Sequence, residues 1–501
     1  MVELSIIEQI LTPGMILIII MGTMIGIIFG AIPGLTGTIG VSLLLPISFA
    51  FEPQAGLLLL GGIYMGAMYG GSITAILINV PGAPEATFTA VEGHEMTKIG
   101  HSQRALYYSI FSSTFGGTIG VITLIFLTPL LVKIAVNFGP PEMFLLGLAG
   151  LTIISALAGG SEISKSIYAT GFGILISTVG ADMSSGVDRF TFGISSLKSG
   201  ISLISIILAM FAISEMIINI GNKTGKITLA KQENISRFNI FKKMLTNWIT
   251  VIRSTLIGVF LGVLPGVGGT TAAFVAYGNA KTASKTPKLF GKGSPEGIIA
   301  NESANNAVVG STLVPLLSLG IPGSGTAAIM LGALTIHGII PGPDLFADRP
   351  DVAYTFMYGM LLTCIVMGVF GLIGIKWFSK VVNIGLEFII PVTIVFSLLG
   401  AYGDRNSMFD VFITVLLAFI AVLMKQYGFP VAPLVLGVVL GPIIELQLRT
   451  SLVLAEAEGE SILMFLMMRP LSVTLIVLVS ILLYFMLKVN KKASSEIESS
   501  D

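Results

Sequence analysis

The amino-acid sequence predicts an all-α polytopic membrane protein, with about ten to thirteen transmembrane or re-entrant helices forming two inverted repeats broken at Pro-Gly pairs. Three observations predict it. Hydrophobic residues make up 54% of the 501-residue chain and charged residues 11%, too little polar surface for a water-soluble protein. Apolar stretches of about 20 residues, enough to cross a roughly 30 Å hydrocarbon core, recur from end to end. A pattern around Pro33-Gly34 and Pro81-Gly82 returns around Pro265-Gly266 and Pro322-Gly323. Weak alternation and abundant glycine speak against a membrane β-barrel. Zero net charge carries no nucleic-acid signature.

The amino terminus carries Glu3 and Glu8 where a secretory signal has basic residues, so the first apolar segment is expected to stay as a helix. That segment runs to Gly30 and stops at Pro33-Gly34, because proline removes a donor and glycine permits backbone angles other residues avoid. Gly40 to Ala50 leads to an acidic turn, and the next helix carries Gly62, Gly66 and Gly70 at four-residue spacing, a stripe for close helix approach. Residues 83–104 are polar and expected at the membrane surface, and four apolar segments follow up to residue 220. The stretch 221–253 sets Lys223, Lys226, Lys231, Arg237, Lys242, Lys243 and Arg253 against Glu233, so it reads as a cytoplasmic loop. The expected organisation is a first repeat core over 1–104, first-half helices over 105–220, the basic loop, a second repeat core over 254–351, carboxyl-terminal helices over 352–488 and a cytoplasmic tail over 489–501.

An offset of 232 places Gly26, Gly30, Pro33, Gly34, Gly37 and Thr38 on Gly258, Gly262, Pro265, Gly266, Gly269 and Thr270; the second Pro-Gly pairs align at an offset of 241. The difference fits the insertion KTASKTPKLFGKG. Flanking charges have opposite signs in the two halves, which predicts that the repeats insert upside down relative to each other.

Interrupted helices persist in lipid only where protein, water, ion or substrate satisfies the freed backbone groups. Helix amino ends suit a carboxylate and opposing carboxyl ends suit a cation, so a site of this kind binds an acid without lysine or arginine. The candidate substrate ligands are Gly34, Thr36, Thr38, Asn79, Gly82, Gly266, Thr270, Asn305, Asn306, Gly323, Ser324 and Thr326; the candidate cation ligands are Pro33, Gly34, Pro265, Gly266 and Ser303. The plainer reading is that Pro-Gly pairs mark kinks between spans. Glu302, Asn305 and Asn306 fall on one helical face, where Glu302 must be paired, protonated or near the interface, or else serve interhelical hydrogen bonding. Tyr64 and Tyr69 fit an interfacial or a cavity-lining position equally. GNKTGKI is one residue short of a phosphate loop, HEMTK lacks the second histidine of a zinc-protease helix, and His337 reads as a packing histidine. The single Cys364 reads as a small apolar side chain.

AIPGLTG, YMGAMYGGSITAILINVPG, DRFTFG, LGVLPGVGG, NESANNA and LGIPGSGTAA, in this order, resemble the large membrane subunit of the tripartite tricarboxylate transporters, the TctA type. The resemblance implies a multi-pass carrier of the bacterial cytoplasmic membrane for citrate-like or other carboxylates, with a sodium or proton gradient as driving force and no other cofactor. It implies two partners, a small membrane subunit and a periplasmic solute-binding protein, and no enzymatic activity. A homodimer is left open. A passive channel or a non-transport scaffold is the competing expectation.

Overall fold

The computed structural model describes residues 2–32, 34–158, 163–182, 185–220, 237–375, 377–378 and 386–481. Pro33, residues 221–236 of the basic loop and the carboxyl-terminal tail lie outside the described residues. The chain is helical almost throughout: α1 (Val2–Ile10), α2 (Pro13–Gly30), α3 (Gly37–Ser48), α4 (Pro53–Ile78), a 3-10 turn (Pro84–Ala86), α5 (Thr87–Lys98), α6 (Ser102–Ala135), α7 (Pro140–Ala158) and α8 (Ile163–Ser177) come first. A two-residue antiparallel pair, β1 (Gly180–Ala181) with β2 (Asp188–Arg189), precedes α9 (Leu203–Ile207), which continues through a π-helical turn (Leu208–Ile213) into α10 (Ser214–Ile218). The second half contains α11 (Arg237–Thr246), α12 (Trp248–Val263), α13 (Gly268–Ala283), α14 (Pro295–Leu319), α15 (Gly325–Ile336), α16 (Pro343–Asp348) and α17 (Pro350–Gly374). The chain then forms α18 (Leu386–Arg405), α19 (Met408–Gln426), α20 (Val431–Ala457), α21 (Ile462–Met467) and α22 (Pro470–Ile481).

Six of these helices are long and apolar enough to cross a membrane, a seventh if α11 and α12, bent by 74°, count as one span. Five apolar helices are shorter, among them α3 and α15, the pieces that follow Pro-Gly breaks. A short helix cannot span the hydrocarbon core alone, so the breaks convert what would be spans into half-helices whose ends lie inside the protein.

Two helices form the centre. Every residue of α4 from Gln54 to Leu77, and every residue of α14 from Gly297 to Ser318, is buried. Helix α14 falls outside the six apolar candidates because Asn301, Glu302, Asn305 and Asn306 lower its hydropathy, yet protein covers all of its faces. Helix α2 lies along α4 through glycine: a Cβ on Gly22 would lie 2.5 Å from the Leu59 carbonyl oxygen, and one on Gly26 or Gly30 would overlap the carbonyl of Ile63 or Ala67. Helix α12 lies along α14 in the same way, with Gly258 against Ala304 and Gly262 against Val308 and Ser311. These contacts obey the sequence offsets, since 232 carries Gly26 onto Gly258 while 241 carries Ile63 onto Ala304. The repeat is thus one of packing as well as of motif. It extends to the breaks, where Gly34 and Gly266 take φ of +83° and +79°. The left-handed C-caps of α4 and α14 are the equivalent Asn79 and Gly320, at φ of +59° and +71°.

Around this centre the outer elements are fastened by charge. Asp182, beside the β1–β2 turn, accepts from Arg449 Nη2 at 2.8 Å and pairs with Arg189 at 3.4 Å, and both arginines also reach Glu445 of α20. Glu142 at the start of α7 binds Arg469 Nε at 3.0 Å and Ser472 Oγ at 2.7 Å, holding α22 to α7.

Candidate functional site

The breaks meet crosswise between halves. Helix α3, after the first break of the first half, touches α15, after the second break of the second: Thr38 Oγ1 lies 2.8 Å from Thr326 Oγ1, and Tyr64 Oη of α4 lies 3.2 Å from Ser324 Oγ. Thr36 caps α3 by accepting from Ile39 N at 3.3 Å, and Ser324 caps α15 by accepting from Ala327 N at 3.1 Å. The other first-turn N–H groups of both helices have no acceptor within their own helix, so two partially positive ends converge here. Thr36, Thr38 and Ser324 are half-buried, which leaves the junction reachable, and their hydroxyls line it.

The second crossing is already occupied by a carboxylate of the protein. Helix α13 starts with no side-chain cap, and the Glu85 side chain of the 3-10 turn lies against its first turn, beside Gly269. A Cβ on Gly269 would lie 2.8 Å from Glu85 Cγ and 3.2 Å from Asn305 Oδ1, so close approach here requires glycine. Asn305 is 1% exposed and its Oδ1 has no hydrogen-bond partner. The protein thus shows at one crossing how a carboxylate sits at a broken-helix terminus.

The remaining sequence candidates fall in different places. The Gly266 N–H donates to the Gly323 carbonyl at 3.1 Å, and the Gly82 N–H to the Gly71 carbonyl at 3.2 Å, so these groups close the breaks themselves. Gly34 faces the Asn219 side chain, and Pro265 is half-buried beside Gly266. Asn79 is exposed at the end of α4. Asn306 donates back to the Glu302 carbonyl at 3.1 Å within α14, and Ser303 is fully buried against α6 near Gly116. The structure therefore brings Thr36, Thr38, Ser324 and Thr326 together at one crossing and Thr270 with Asn305 at the other. A groove of about 750 Å³ on the exposed apolar face of α12, lined by Trp248, Ile252, Leu256 and Phe260, contains none of these residues.

A family model described as the tripartite tricarboxylate transporter TctA family matches residues 16–436, which contain both crossings. The chain belongs to the TctA family. It is thus a multi-pass membrane component of a tripartite transporter, a class that works with partner subunits. This TctA-family chain is 35% identical over 462 residues, 90% of each chain, to a protein of Agrobacterium vitis named "Uncharacterized 52.8 kDa protein in TAR-I ttuC' 3'region". A second protein of that organism, "Uncharacterized protein in TAR-II ttuC' 3'region", is 34% identical over 202 residues, 40% of this chain and 84% of that protein. No solved structure matches the chain significantly.

Three residues of this TctA-family chain outside the candidate ligand set lie at or beside the site. Tyr64 is buried with its hydroxyl on Ser324, and Glu85 fills the α13 terminus. Glu92, placed by polarity alone at the surface, is fully buried. Its carboxylate accepts from Tyr277 Oη at 2.7 Å and from the backbone N–H groups of Gly291, Gly293 and Ser294 at 2.6, 2.9 and 2.7 Å. It ties α5 to the loop between α13 and α14, the insertion that distinguishes the second repeat. The signal that could have found Glu85 was its position, an acidic residue three places past a break.

Proposed function

We propose that the chain is the permease subunit of a cation-coupled carboxylate uptake system, receiving its substrate from a periplasmic binding protein and working beside a small membrane subunit in the cytoplasmic membrane. The observation that carries this reading is the α3–α15 crossing, where two helix amino ends and the hydroxyls of Thr36, Thr38, Tyr64, Ser324 and Thr326 converge. A substrate carboxylate would take hydrogen bonds from these groups. Helices α3 and α15 come from different halves, so a substrate bound between them senses their relative position, which alternating access requires. The opposite flanking charges of the two repeats support an inverted arrangement.

The test is uptake of mono-, di- and tricarboxylates in proteoliposomes holding all three subunits. Thr36→Ala and Thr326→Val should each lower uptake by about tenfold or more, the equivalent of one lost hydrogen bond of about 1.4 kcal/mol. Near-normal uptake in both variants refutes the site. Accumulation that collapses with an ionophore separates a carrier from a channel. For the inversion, Glu52→Cys and Lys285→Cys sit in exposed turns of the two repeats, and the one native cysteine, Cys364, is buried. Labelling of both from the same side of the membrane rules the inversion out.

A further inference from the structure

Glu302 is fully buried in the middle of α14. Its Oε1 accepts from Thr89 Oγ1 of α5 at 2.5 Å and its Oε2 from Ser113 Oγ of α6 at 2.9 Å, with Asn301 Nδ2 at 3.5 Å. It forms no ion pair among the described residues. The ionisable groups on the elements packed around it are Tyr64 and Tyr69 of α4, Glu85 of the 3-10 turn, Glu92, His94, Glu95 and Lys98 of α5, Arg104, Tyr107, Tyr108 and Lys133 of α6, Arg253 of α12, and Tyr277 and Lys281 of α13. The buried Tyr69 hydroxyl has no partner, while Glu92 is held by the loop before α14.

Burying a carboxylate without a counter-charge costs several kcal/mol, whereas hydroxyl and amide donors favour the anion. The two effects oppose each other. The partners also tolerate both states, because Thr89 and Ser113 hydroxyls can turn from donating to an anion to accepting from an acid. The surroundings are therefore those of a group whose hydroxyl partners can serve either protonation state.

A chain of polar groups joins this carboxyl to the breaks. Asn301 Nδ2 lies 2.9 Å from Thr89 Oγ1 and 2.9 Å from the backbone carbonyl of Glu85, the residue whose side chain occupies the α13 terminus. Thr89 and Glu85 both lie just beyond the Pro81-Gly82 break. The anion holds Thr89 more strongly than the acid does, so protonation state and the position of this break are linked.

We propose that Glu302 is the proton-binding site of the transporter, taking up a proton from one side of the membrane and releasing it to the other as the Pro81-Gly82 break shifts. This rests on the carrier reading above and names its coupling ion as a proton. No covalent bond is made or broken beyond the O–H of the carboxyl.

The full-length chain in lipid vesicles is examined by infrared difference spectroscopy across a pH step, with uptake measured in the three-component proteoliposomes. The wild type is expected to gain a protonated-carboxyl stretch on acidification that E302Q lacks and E85Q keeps. Thr89→Val, which removes a donor to the anion and keeps the carboxyl, should move the midpoint of that band upward by about one pH unit. In proteoliposomes E302Q should retain carboxylate exchange and lose accumulation driven by an acid-outside step by at least about tenfold. The proposal is overturned if the wild type shows no such band, if E302Q retains it, or if accumulation follows a sodium gradient alone. A wild type that moves no carboxylate refutes the carrier reading instead, and the infrared result still decides whether Glu302 titrates.

Discussion

Replacing Glu92 by glutamine tests whether one buried carboxylate holds the two repeats together. The carboxylate receives four hydrogen bonds, two on each oxygen: Tyr277 Oη and Gly291 N on Oε1, Gly293 N and Ser294 N on Oε2. The amide of glutamine keeps one acceptor oxygen and presents an NH₂ group to the other two donors, so two donors lose their acceptor. Each unsatisfied donor costs about 1–3 kcal/mol, and the half-buried Gly293 recovers part of that from water, which puts the loss at about 2–3 kcal/mol. The loop carries exposed Lys285, Lys288 and Lys292, so its release is readable by trypsin on the full-length protein. Where opening equilibrates faster than cleavage, 2 kcal/mol raises the cleavage rate about thirtyfold. Glu95→Gln is the control, since Glu95 is exposed and pairs only with Lys98. A rise of less than about threefold for Glu92→Gln would show that the loop is held by its apolar contacts, Tyr277 with Phe290, and not by the carboxylate.

Further substitutions probe the rest of the fold. Gly66→Val sets a side chain into the Thr23 carbonyl across the α2–α4 contact and should cost about 3 kcal/mol or more, seen as a loss of monodisperse protein on size exclusion; Gly278→Val, with open space around it on α13, avoids any such clash. Asn79→Gly should leave uptake unchanged, because the residue serves as a left-handed cap as Gly320 does in the other repeat, and a tenfold loss would instead assign it to the substrate. Asp182→Asn leaves Arg189 and Arg449 sharing Glu445 and should lower stability by about 1–2 kcal/mol, since both arginines are partly solvated, measured as a reduced thermal midpoint in detergent.

Local chemistry made a large part of this molecule readable before any coordinates. Proline and glycine act on the backbone where they stand, so the breaks, their pairing and the offsets of 232 and 241 follow from the sequence and reappear in the Gly26–Ile63 and Gly258–Ala304 contacts. The shared helical face assigned to Glu302, Asn305 and Asn306 lost its meaning, because periodicity distinguishes faces only where one of them meets a different medium. Protein surrounds α14 completely, so Asn305 turns to the α13 terminus, Asn306 to its own helix and Glu302 to the hydroxyls of α5 and α6.

The sequence by itself determined an α-helical membrane chain, built from a repeated unit with a weak point at each Pro-Gly pair, because composition and backbone freedom are properties of residues alone. Which break faces which was decided only by tertiary structure. Thr38 meets Thr326 across a separation of 288 residues and Gly269 meets Glu85 from the other repeat, and no periodicity spans such distances. Those pairings follow from glycine contacts that let α2 lie on α4 and α12 on α14, bringing half-helices of opposite repeats end to end.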